Sequence, residues 1–326
     1  MKVLITGANG LLATNTIKLF LEKGHTVTGL IRSKEKFLLP SQPGLELFEA
    51  DILDYPRVQE AVKSCDAVIH IAALTSQDIP DYEAYKDINV HGAENIIKAA
   101  IARQVKKFIY VSSANSMGYG SLENPGTENS PAKAPFTKAF YARSKMEAEE
   151  KLLSFSEEIE VIRVNPTFML GPYDGKPSSG QIILMGFNKK MIFYPPGGKN
   201  FVDVRDVAGG ILKALKNGKN REAYLMANEN MSYEKFFELL QLKSQRKSFL
   251  MLKVPKIALL AAGYLGDLLR FFRIKTDLSS VNMKILCVSN YYSNQKSKRE
   301  LGMKYHPVET AVDDAVAWFK NNGILE

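Results

Sequence analysis

Hydrophobic positions along the first half of the chain alternate between short runs and longer periodic segments. In residues 11–23 the apolar side chains Leu12, Ile17 and Phe20 fall on one side of a helix, which Gly24 then ends. No hairpin signal separates the segments, so the pattern predicts parallel strands joined by crossover helices and covered on both faces. The short runs that we predict as strands are 2–6, 25–31, 45–50, 67–71 and 107–111.

The alternation continues beyond these strands and then stops. We predict helices after Pro56 and through residues 89–102, and a helix and a strand are also predicted in the ranges 140–153 and 160–164. Pro, Gly and Ser are frequent from 166 to 198, and the sequence from 231 onward is predicted to be mostly helical.

These segments predict a fold class and a division of the chain. We expect an α/β protein with a Rossmann-type doubly wound parallel sheet in residues 1–165. Residues 166–326 are expected to form a smaller, mostly helical substrate-binding lobe that is interleaved with the core of the sheet. In folds of this type ligands bind outside the carboxyl ends of the strands, so the chemistry is expected there.

Composition excludes several classes of protein. Of 326 residues, 45% are hydrophobic and 24% charged, the balance of a folded soluble chain rather than a disordered one. Cys65 and Cys287 lie far apart without metal-ligand spacing, so neither a metal site nor a disulfide framework is predicted. The first apolar run is broken at Gly7, too early for a secretory signal. We therefore expect a cytoplasmic protein.

The positive charge is local. Residues 241–304 carry thirteen Lys or Arg against three Asp or Glu, although the whole chain has a net charge of only +8. Such a region is compatible with an anionic substrate, an acidic membrane surface or a solvated face, and we expect no nucleic-acid partner. Within it, residues 257–266 are apolar but too few for a membrane span, which needs about 20 residues. A packed helix or a peripheral contact is predicted.

The turn after the first strand carries the first chemical signal. Residues 6–13 read TGANGLLA, a Gly-x-x-Gly-x-x-Ala spacing that opens a predicted helix. Gly7 permits a tight turn, Gly10 lets the backbone approach a pyrophosphate at the helix N-terminus, and Ala13 allows close packing of helix on strand. This turn predicts a dinucleotide site.

The end of the second strand indicates which dinucleotide. An acidic residue there binds the ribose hydroxyls of NAD, whereas a cation accepts the 2′-phosphate of NADP. Here Arg32 follows the strand directly, and no carboxylate appears before Glu35. Because a guanidinium makes bidentate contacts to phosphate, we predict NADP, bound as NADPH for reduction, and consider NAD less favoured.

A candidate catalytic pair lies on the helix predicted from residue 140. Tyr141 and Lys145 are four residues apart and share a face. A lysine cation beside a phenol favours the phenolate, so we expect Lys145 to lower the pKa of Tyr141. The strand 107–111 delivers Ser112 and Ser113 to the same edge of the sheet, where one hydroxyl can hold a substrate oxygen.

Taken in this order, the dinucleotide turn, the strand-end serine and the Tyr-x-x-x-Lys helix resemble the extended short-chain dehydrogenase/reductase superfamily, with the NAD-dependent epimerase/dehydratase fold. The resemblance covers nearly the whole chain. It implies that Tyr141 is the general acid in the reduction direction, that Lys145 binds the nicotinamide ribose, and that Ser113 rather than Ser112 orients the carbonyl. Residues 165–172 are similar to the stretch behind the nicotinamide in the branch that is dihydroflavonol reductase-like and cinnamoyl-CoA reductase-like.

The resemblance also implies a set of contacts to the cofactor, which lie after successive strands or on the catalytic helix. The candidate cofactor-binding residues are Gly7, Asn9, Gly10, Leu11, Leu12, Arg32, Asp51, Ile52, Ala72, Ala73, Tyr141, Lys145, Pro166 and Thr167.

Several functions are open to such a protein. We favour a reductase that moves hydride from NADPH to an aldehyde or ketone, or the reverse alcohol oxidation. A nucleotide-sugar epimerase is the alternative, although Arg32 and the 165–167 segment speak against it. A dehydratase lacks the acidic pair expected after the serine, and a non-catalytic dinucleotide-binding regulator gains no support from an intact triad. A homodimer is left open by the resemblance.

One position argues against a flavonoid substrate. Plant dihydroflavonol reductases carry a polar residue five positions after the serine, where this chain has Gly118. The identity of the carbonyl substrate is therefore not predicted.

Overall fold

The computed structural model describes residues 1–244, 249–272, 274 and 276–325. Strands within these residues are short, and most end where the sequence turns polar or reaches a glycine. They are β1 (Lys2–Thr6), β2 (Thr26–Ile31), β3 (Leu45–Glu49), β4 (Ala67–His70), β5 (Lys107–Val111), β6 (Glu160–Pro166), β7 (Phe168–Leu170), β8 (Met191–Tyr194), β9 (Gly198–Asp203), β10 (Ala223–Met226), β11 (Glu229–Ser232), β12 (Leu250–Lys253) and β13 (Ser289–Asn290).

Helices alternate with the strands in the first half and become more frequent in the second. They are α1 (Leu11–Glu22), α2 (Tyr55–Ala61), α3 (Tyr82–Lys86), α4 (Gly92–Ala102), α5 (Phe140–Leu153), α6 (Gln181–Gly186), α7 (Val204–Asn217), α8 (Tyr233–Leu242), α9 (Lys256–Phe271), α10 (Ser280–Leu286), α11 (Gln295–Leu301) and α12 (Val308–Asn321).

Seven parallel strands form the central sheet, in the order β10-β6-β5-β4-β1-β2-β3. The predicted Rossmann-type α/β fold is thus confirmed, and the five predicted strands of the first half differ from the observed ones by at most one residue at each end. β10, which forms one edge of this sheet, comes from the second half of the chain. The sheet therefore draws on residues on both sides of position 165.

Alternate residues of β1 explain why the sheet is covered on both faces. Val3 and Ile5 pack in one buried cluster with α1 and α7, whereas Leu4 packs in another with α2, α4 and α5. All three side chains are fully buried. A continuous apolar run is therefore required here, as expected for a strand with no solvent-facing side.

The helix expected through residues 89–102 is longer and is interrupted. It begins with α3, which Asp81 caps by accepting from the backbone N–H of Glu83, and reaches α4 through a π-helical turn, Asp87–His91. The wider turn places Asn89 against the segment after β4, where its Oδ1 accepts from the N–H of Leu74 at 2.7 Å. The irregularity thus serves the edge of the sheet at which ligands bind in such folds.

A smaller lobe packs on the sheet and contains strands as well as helices. Its core joins α6, α8 and α12 to the strands β8 and β9, around residues such as Phe201 and Phe236. These rings stack with centroids 4.5 Å apart. The expectation of a mostly helical lobe missed the short strands β11, β12 and β13, because two to four residues carry too little periodicity to be recognised.

Candidate active site

Parallel pairing brings the ends of six strands to one edge of the sheet, and the predicted site residues follow these ends. Each lies at or just beyond the carboxyl end of a strand, apart from those on α1 and α5. In order of β1 to β6 they are Gly7, Arg32, Asp51, Ala72, Ser113 and Pro166. The structure therefore brings together residues that are up to 159 positions apart in sequence.

The β1–α1 turn has the backbone that its glycines suggest. Gly7 has a φ of +70°, and a Cβ there would lie 2.9 Å from the Cα of Ala72. Only glycine fits without displacing the chain after β4. Gly10 precedes α1 and donates to the carbonyl of Gly7 at 2.9 Å, and Ala13 is fully buried against the sheet. The first turn of α1 carries no acidic residue, which leaves its N-terminus suited to an anion.

The segment after β4 is fixed to β1 by a single hydroxyl. The Thr6 Oγ1 accepts from the backbone N–H groups of Ile71 and Ala72, both at 3.0 Å, and lies 2.8 Å from the Nδ1 of His70. His70 is fully buried, and this burial, together with the nearby Lys145, lowers its pKa to about 3. The imidazole is therefore neutral and holds structure at this edge.

Residues on the far side of the turn are more open. Arg32 is exposed at the end of β2, and Asp51 is exposed after β3, where its Oδ1 accepts from the N–H of Leu53 at 2.9 Å. Ile52 is buried beneath it and packs towards Gly92 of α4. This half of the site thus has a solvent-accessible cation and an apolar floor.

Tyr141 and Ser113 meet at the centre of the edge. The Ser113 hydroxyl lies near the Tyr141 phenol and lowers its pKa, but burial raises the pKa more, to about 12. Our expectation that Lys145 lowers the pKa of Tyr141 is therefore wrong for the protein alone. The cause is desolvation of the phenolate, which raises the pKa more than Ser113 lowers it.

Lys145 is itself strongly perturbed. Its side chain is buried, its Nζ donates to the carbonyl of Val111 at 2.9 Å, and it lies 4.7 Å from the ring centroid of Tyr110. Burial lowers the pKa of Lys145 to about 7, while the carboxylate of Glu149 opposes the shift. Near neutral pH the Lys145 side chain can therefore exchange between the ammonium and the neutral amine.

Sequence reasoning missed Glu149, one helical turn beyond Lys145 on α5. Its Oε1 accepts from the hydroxyls of Ser112 and Ser116 and from the Nδ2 of Asn165 at 2.9 Å. Its Oε2 accepts from Arg163 at 3.0 Å. The spacing of four after Lys145 was a usable signal, since it places the carboxylate on the same helix face as the catalytic pair.

The Glu149 carboxylate links α5 to β6 and to the segment after β5 that carries the serine. Asn165 on β6 also donates to the carbonyl of Ser113 at 3.2 Å, so the serine segment is held from the side of β6 as well as from α5. Thr167 follows, and its hydroxyl donates to the Oδ1 of Asn200 at 2.7 Å. The 165–167 segment thus connects the serine to the smaller lobe.

Gly118 has a steric reason to lack a side chain. A Cβ at this position would lie 2.3 Å from the carbonyl oxygen of Pro131. Any larger residue would displace the loop that follows the serine. The absence of a polar side chain here is therefore built into the packing of this loop.

Comparison with known proteins agrees with this arrangement. Residues 3–227 match the model of the NAD dependent epimerase/dehydratase family. A putative dihydroflavonol 4-reductase of Synechocystis is 28% identical over 332 residues, covering 99% of this chain and 95% of that protein. The sterol demethylase protein B of Methylococcus capsulatus is also 28% identical, with full coverage of both chains.

A solved structure extends the similarity to the fold of the whole chain. The crystal structure of gox2253 has a TM-score of 0.83 and 29% identity, covering 99% of each chain. The smaller lobe is therefore part of the shared architecture. The two relatives differ in the substrates that their names imply, so similarity alone leaves the substrate class open.

Proposed function

Because this chain belongs to the NAD-dependent epimerase/dehydratase family, within the extended short-chain dehydrogenase/reductase superfamily, we propose that it is an NADPH-dependent reductase. It transfers hydride to an aldehyde or ketone, or catalyses the reverse oxidation of an alcohol. The observation that carries the proposal is the convergence of Ser113, Tyr141 and buried Lys145 at the carboxyl ends of the strands, near the start of α1.

The residues of the β1–α1 turn fit a dinucleotide. Gly7 permits the tight turn against Ala72, and Gly10 directly precedes α1, whose first turn has no acidic residue and whose unpaired amide groups suit an anion. The proposed contacts of the turn itself also include Asn9, Leu11 and Leu12. Those proposed from the segments after β3 and β4 are Asp51, Ile52, Ala72 and Ala73. When bound, a reduced nicotinamide supplies the hydride.

Arg32 supports the choice of NADPH over NADH. Its exposed guanidinium stands where a ribose 2′-phosphate would lie in a fold of this kind, and a planar cation binds phosphate through two parallel hydrogen bonds. We therefore propose NADP as the cofactor, with NAD bound more weakly.

Three side chains have separate roles in the proposed reduction of the carbonyl. Ser113 donates a hydrogen bond that orients the substrate oxygen and polarises it. Tyr141 then gives its phenolic proton to that oxygen as negative charge develops there. Its pKa of about 12 keeps the phenol protonated at neutral pH until this transfer. Lys145, whose pKa burial lowers to about 7, would hold the ribose hydroxyls of the cofactor and, as an ammonium, would stabilise the tyrosinate that is left. Pro166 at the end of β6 and Thr167 directly after it would border the nicotinamide.

A substrate screen tests the proposal. Purified protein is mixed with aldehydes, ketones and acyl-CoA esters while the NADPH absorbance is followed, and nucleotide sugars are run in parallel for epimer formation. We expect NADPH consumption with at least one carbonyl compound. Formation of an epimer without net NADPH consumption would contradict the reductase assignment.

The role of the phenol is tested by Tyr141→Phe. The variant lacks only the phenolic hydroxyl that donates the proton. We therefore expect NADPH affinity to stay within about twofold while turnover falls by about 100-fold or more. Tyr119→Phe, a tyrosine whose hydroxyl donates to the carbonyl of Ala134, is the matched control. Turnover by Tyr141→Phe at the parental rate would remove Tyr141 from the mechanism.

A further inference from the structure

Helix α9 is amphipathic in the opposite sense from a packed helix, because its apolar face points outward. The outward side chains recur at helical spacing, and Ile257 and Phe271 near the two ends are 82% and 81% exposed. The outward-facing residues are Ile257, Ala261, Tyr264, Leu265, Leu268 and Phe271. Of the two alternatives predicted for residues 257–266, a packed helix or a peripheral contact, the exposed face favours the peripheral contact.

The inner face of α9 prevents a rotation that would bury these side chains. Gly263 and Gly266 are the buried residues of the helix, and they lie against the start of α10. A Cβ at Gly266 would lie 2.3 Å from the carbonyl oxygen of Leu278, and one at Gly263 would lie 2.8 Å from the Cα of Ser280. Because no larger residue fits there, the apolar stripe is held outward.

The two-stranded ribbon that leads into α9 has the same character. β12 pairs with β8 in parallel, with Leu250 opposite Met191 and Leu252 opposite Phe193. All four side chains are exposed, while the alternate residues of β8 are buried. β12 ends only three residues before α9 begins, so the two exposed apolar segments follow each other closely in the chain.

Cations accompany the apolar side chains. The exposed lysines are Lys189 and Lys190 before β8, Lys253 at the end of β12 and Lys256 at the start of α9. The Nζ of Lys284 lies 5.5 Å from the ring centroid of Tyr264. Asp267 is the one acidic residue between positions 249 and 272, and it accepts from the N–H of Ser280 on the inner side of the helix.

We infer that α9 and the β8–β12 ribbon form a docking surface for an acidic lipid bilayer. Apolar side chains in the acyl region and lysines at the phosphate level are the two features of helices that lie in a membrane interface. Because this surface carries exposed lysines and few acidic residues, its charge favours an anionic lipid surface over a second copy of the same basic surface. No helix in the described parts of the chain is long and apolar enough to cross a bilayer, and α9 would lie along the surface.

This inference is independent of the proposed reaction, and its test measures no activity. The full chain is sedimented with vesicles of phosphatidylcholine alone and with vesicles that also contain phosphatidylglycerol, at low and high salt. We expect binding to the mixed vesicles, weakened by salt because exposed charges are screened. Absence of binding to the mixed vesicles, or equal binding to both kinds at both salt concentrations, would overturn the inference.

Variants locate the surface. Leu265→Glu with Phe271→Glu should weaken binding to mixed vesicles by about tenfold or more, and Lys253→Glu with Lys256→Glu by a similar factor. Leu122→Glu, at a leucine 56% exposed elsewhere, is the matched control and should bind as the parent does. Ile257→Gln is a milder α9 variant that serves if the glutamate pair lowers the melting temperature.

Sedimentation velocity without vesicles distinguishes the other occupant. We expect Leu265→Glu to leave the oligomeric state unchanged. A parental dimer that Leu265→Glu converts to a monomer would assign the surface to a second copy of the chain and contradict the lipid assignment.

Discussion

Burial decides the charge of the ionisable side chains around Tyr141. It raises the pKa of the phenol to about 12, lowers that of Lys145 to about 7 and lowers that of His70 to about 3. Each shift disfavours the charged form, as desolvation requires. At neutral pH the phenol of Tyr141 and the imidazole of His70 are therefore neutral, and the Lys145 side chain is divided between its ammonium and amine forms.

His70 makes stability depend on acid. The unfolded chain binds a proton on this residue below pH 6.5, whereas the folded chain stays neutral down to about pH 3. Stability is therefore lost as the pH falls through this window, by about 2–3 kcal/mol at pH 4.5 relative to neutral pH. His70→Gln should lose this part of the slope in urea unfolding measured across the window.

The exposed His91 provides the control for that experiment. His91→Gln should retain the parental dependence of the unfolding free energy on pH. A slope in His70→Gln equal to that of the parent would show that the buried imidazole is not the group that titrates.

Arg32 sets the preference between cofactors at the scale of one side chain. Arg32→Ala should lower NADPH affinity by about tenfold or more and leave NADH affinity unchanged, because only NADPH carries the 2′-phosphate. Calorimetric titration of both cofactors measures this. Arg103→Ala, at an exposed arginine after α4, should change neither affinity, and equal affinities of the parent for the two cofactors would exclude the phosphate role of Arg32.

At the scale of elements, α5 carries the site on one face. Tyr141, Lys145 and Glu149 recur at intervals of four, and Glu149 connects the helix to the ends of β5 and β6 through its buried hydrogen bonds. The carboxylate also opposes the lowering of the Lys145 pKa. We therefore treat Glu149 as a positioning residue, since it acts through its neighbours.

Glu149→Gln and Glu149→Leu separate its two roles. The leucine variant should lose about 3 kcal/mol of unfolding free energy, because Arg163 and two hydroxyls are left without their acceptor. The glutamine variant should be less destabilised. Since it removes the charge that raises the Lys145 pKa, the Lys145-dependent limb of the kcat profile should move to lower pH. Glu150→Gln, on the exposed side of α5, is the control, and an unmoved profile in Glu149→Gln would reduce Glu149 to a structural role.

At the scale of the whole molecule, periodicity predicted six of the seven strands of the central sheet in their order along the chain, but not β10 from the second half. Buried parallel strands require continuous apolar runs, and the turn at Gly7 requires glycine for steric reasons that its spacing already indicates. The pKa of Tyr141 was not predictable in this way, because the burial that controls it comes from segments that meet only in the folded chain. The sequence of α9 left a packed helix and a peripheral contact both open for the same reason, since periodicity alone does not show which face is covered.

The proposed function depends on where a reduced dinucleotide binds. A crystal structure of the chain soaked with NADPH tests this most directly. We predict the pyrophosphate at the N-terminus of α1, the 2′-phosphate on Arg32 and the nicotinamide ring beside the Tyr141 phenol. Density for NADPH elsewhere, or a nicotinamide turned away from Tyr141, would contradict the account.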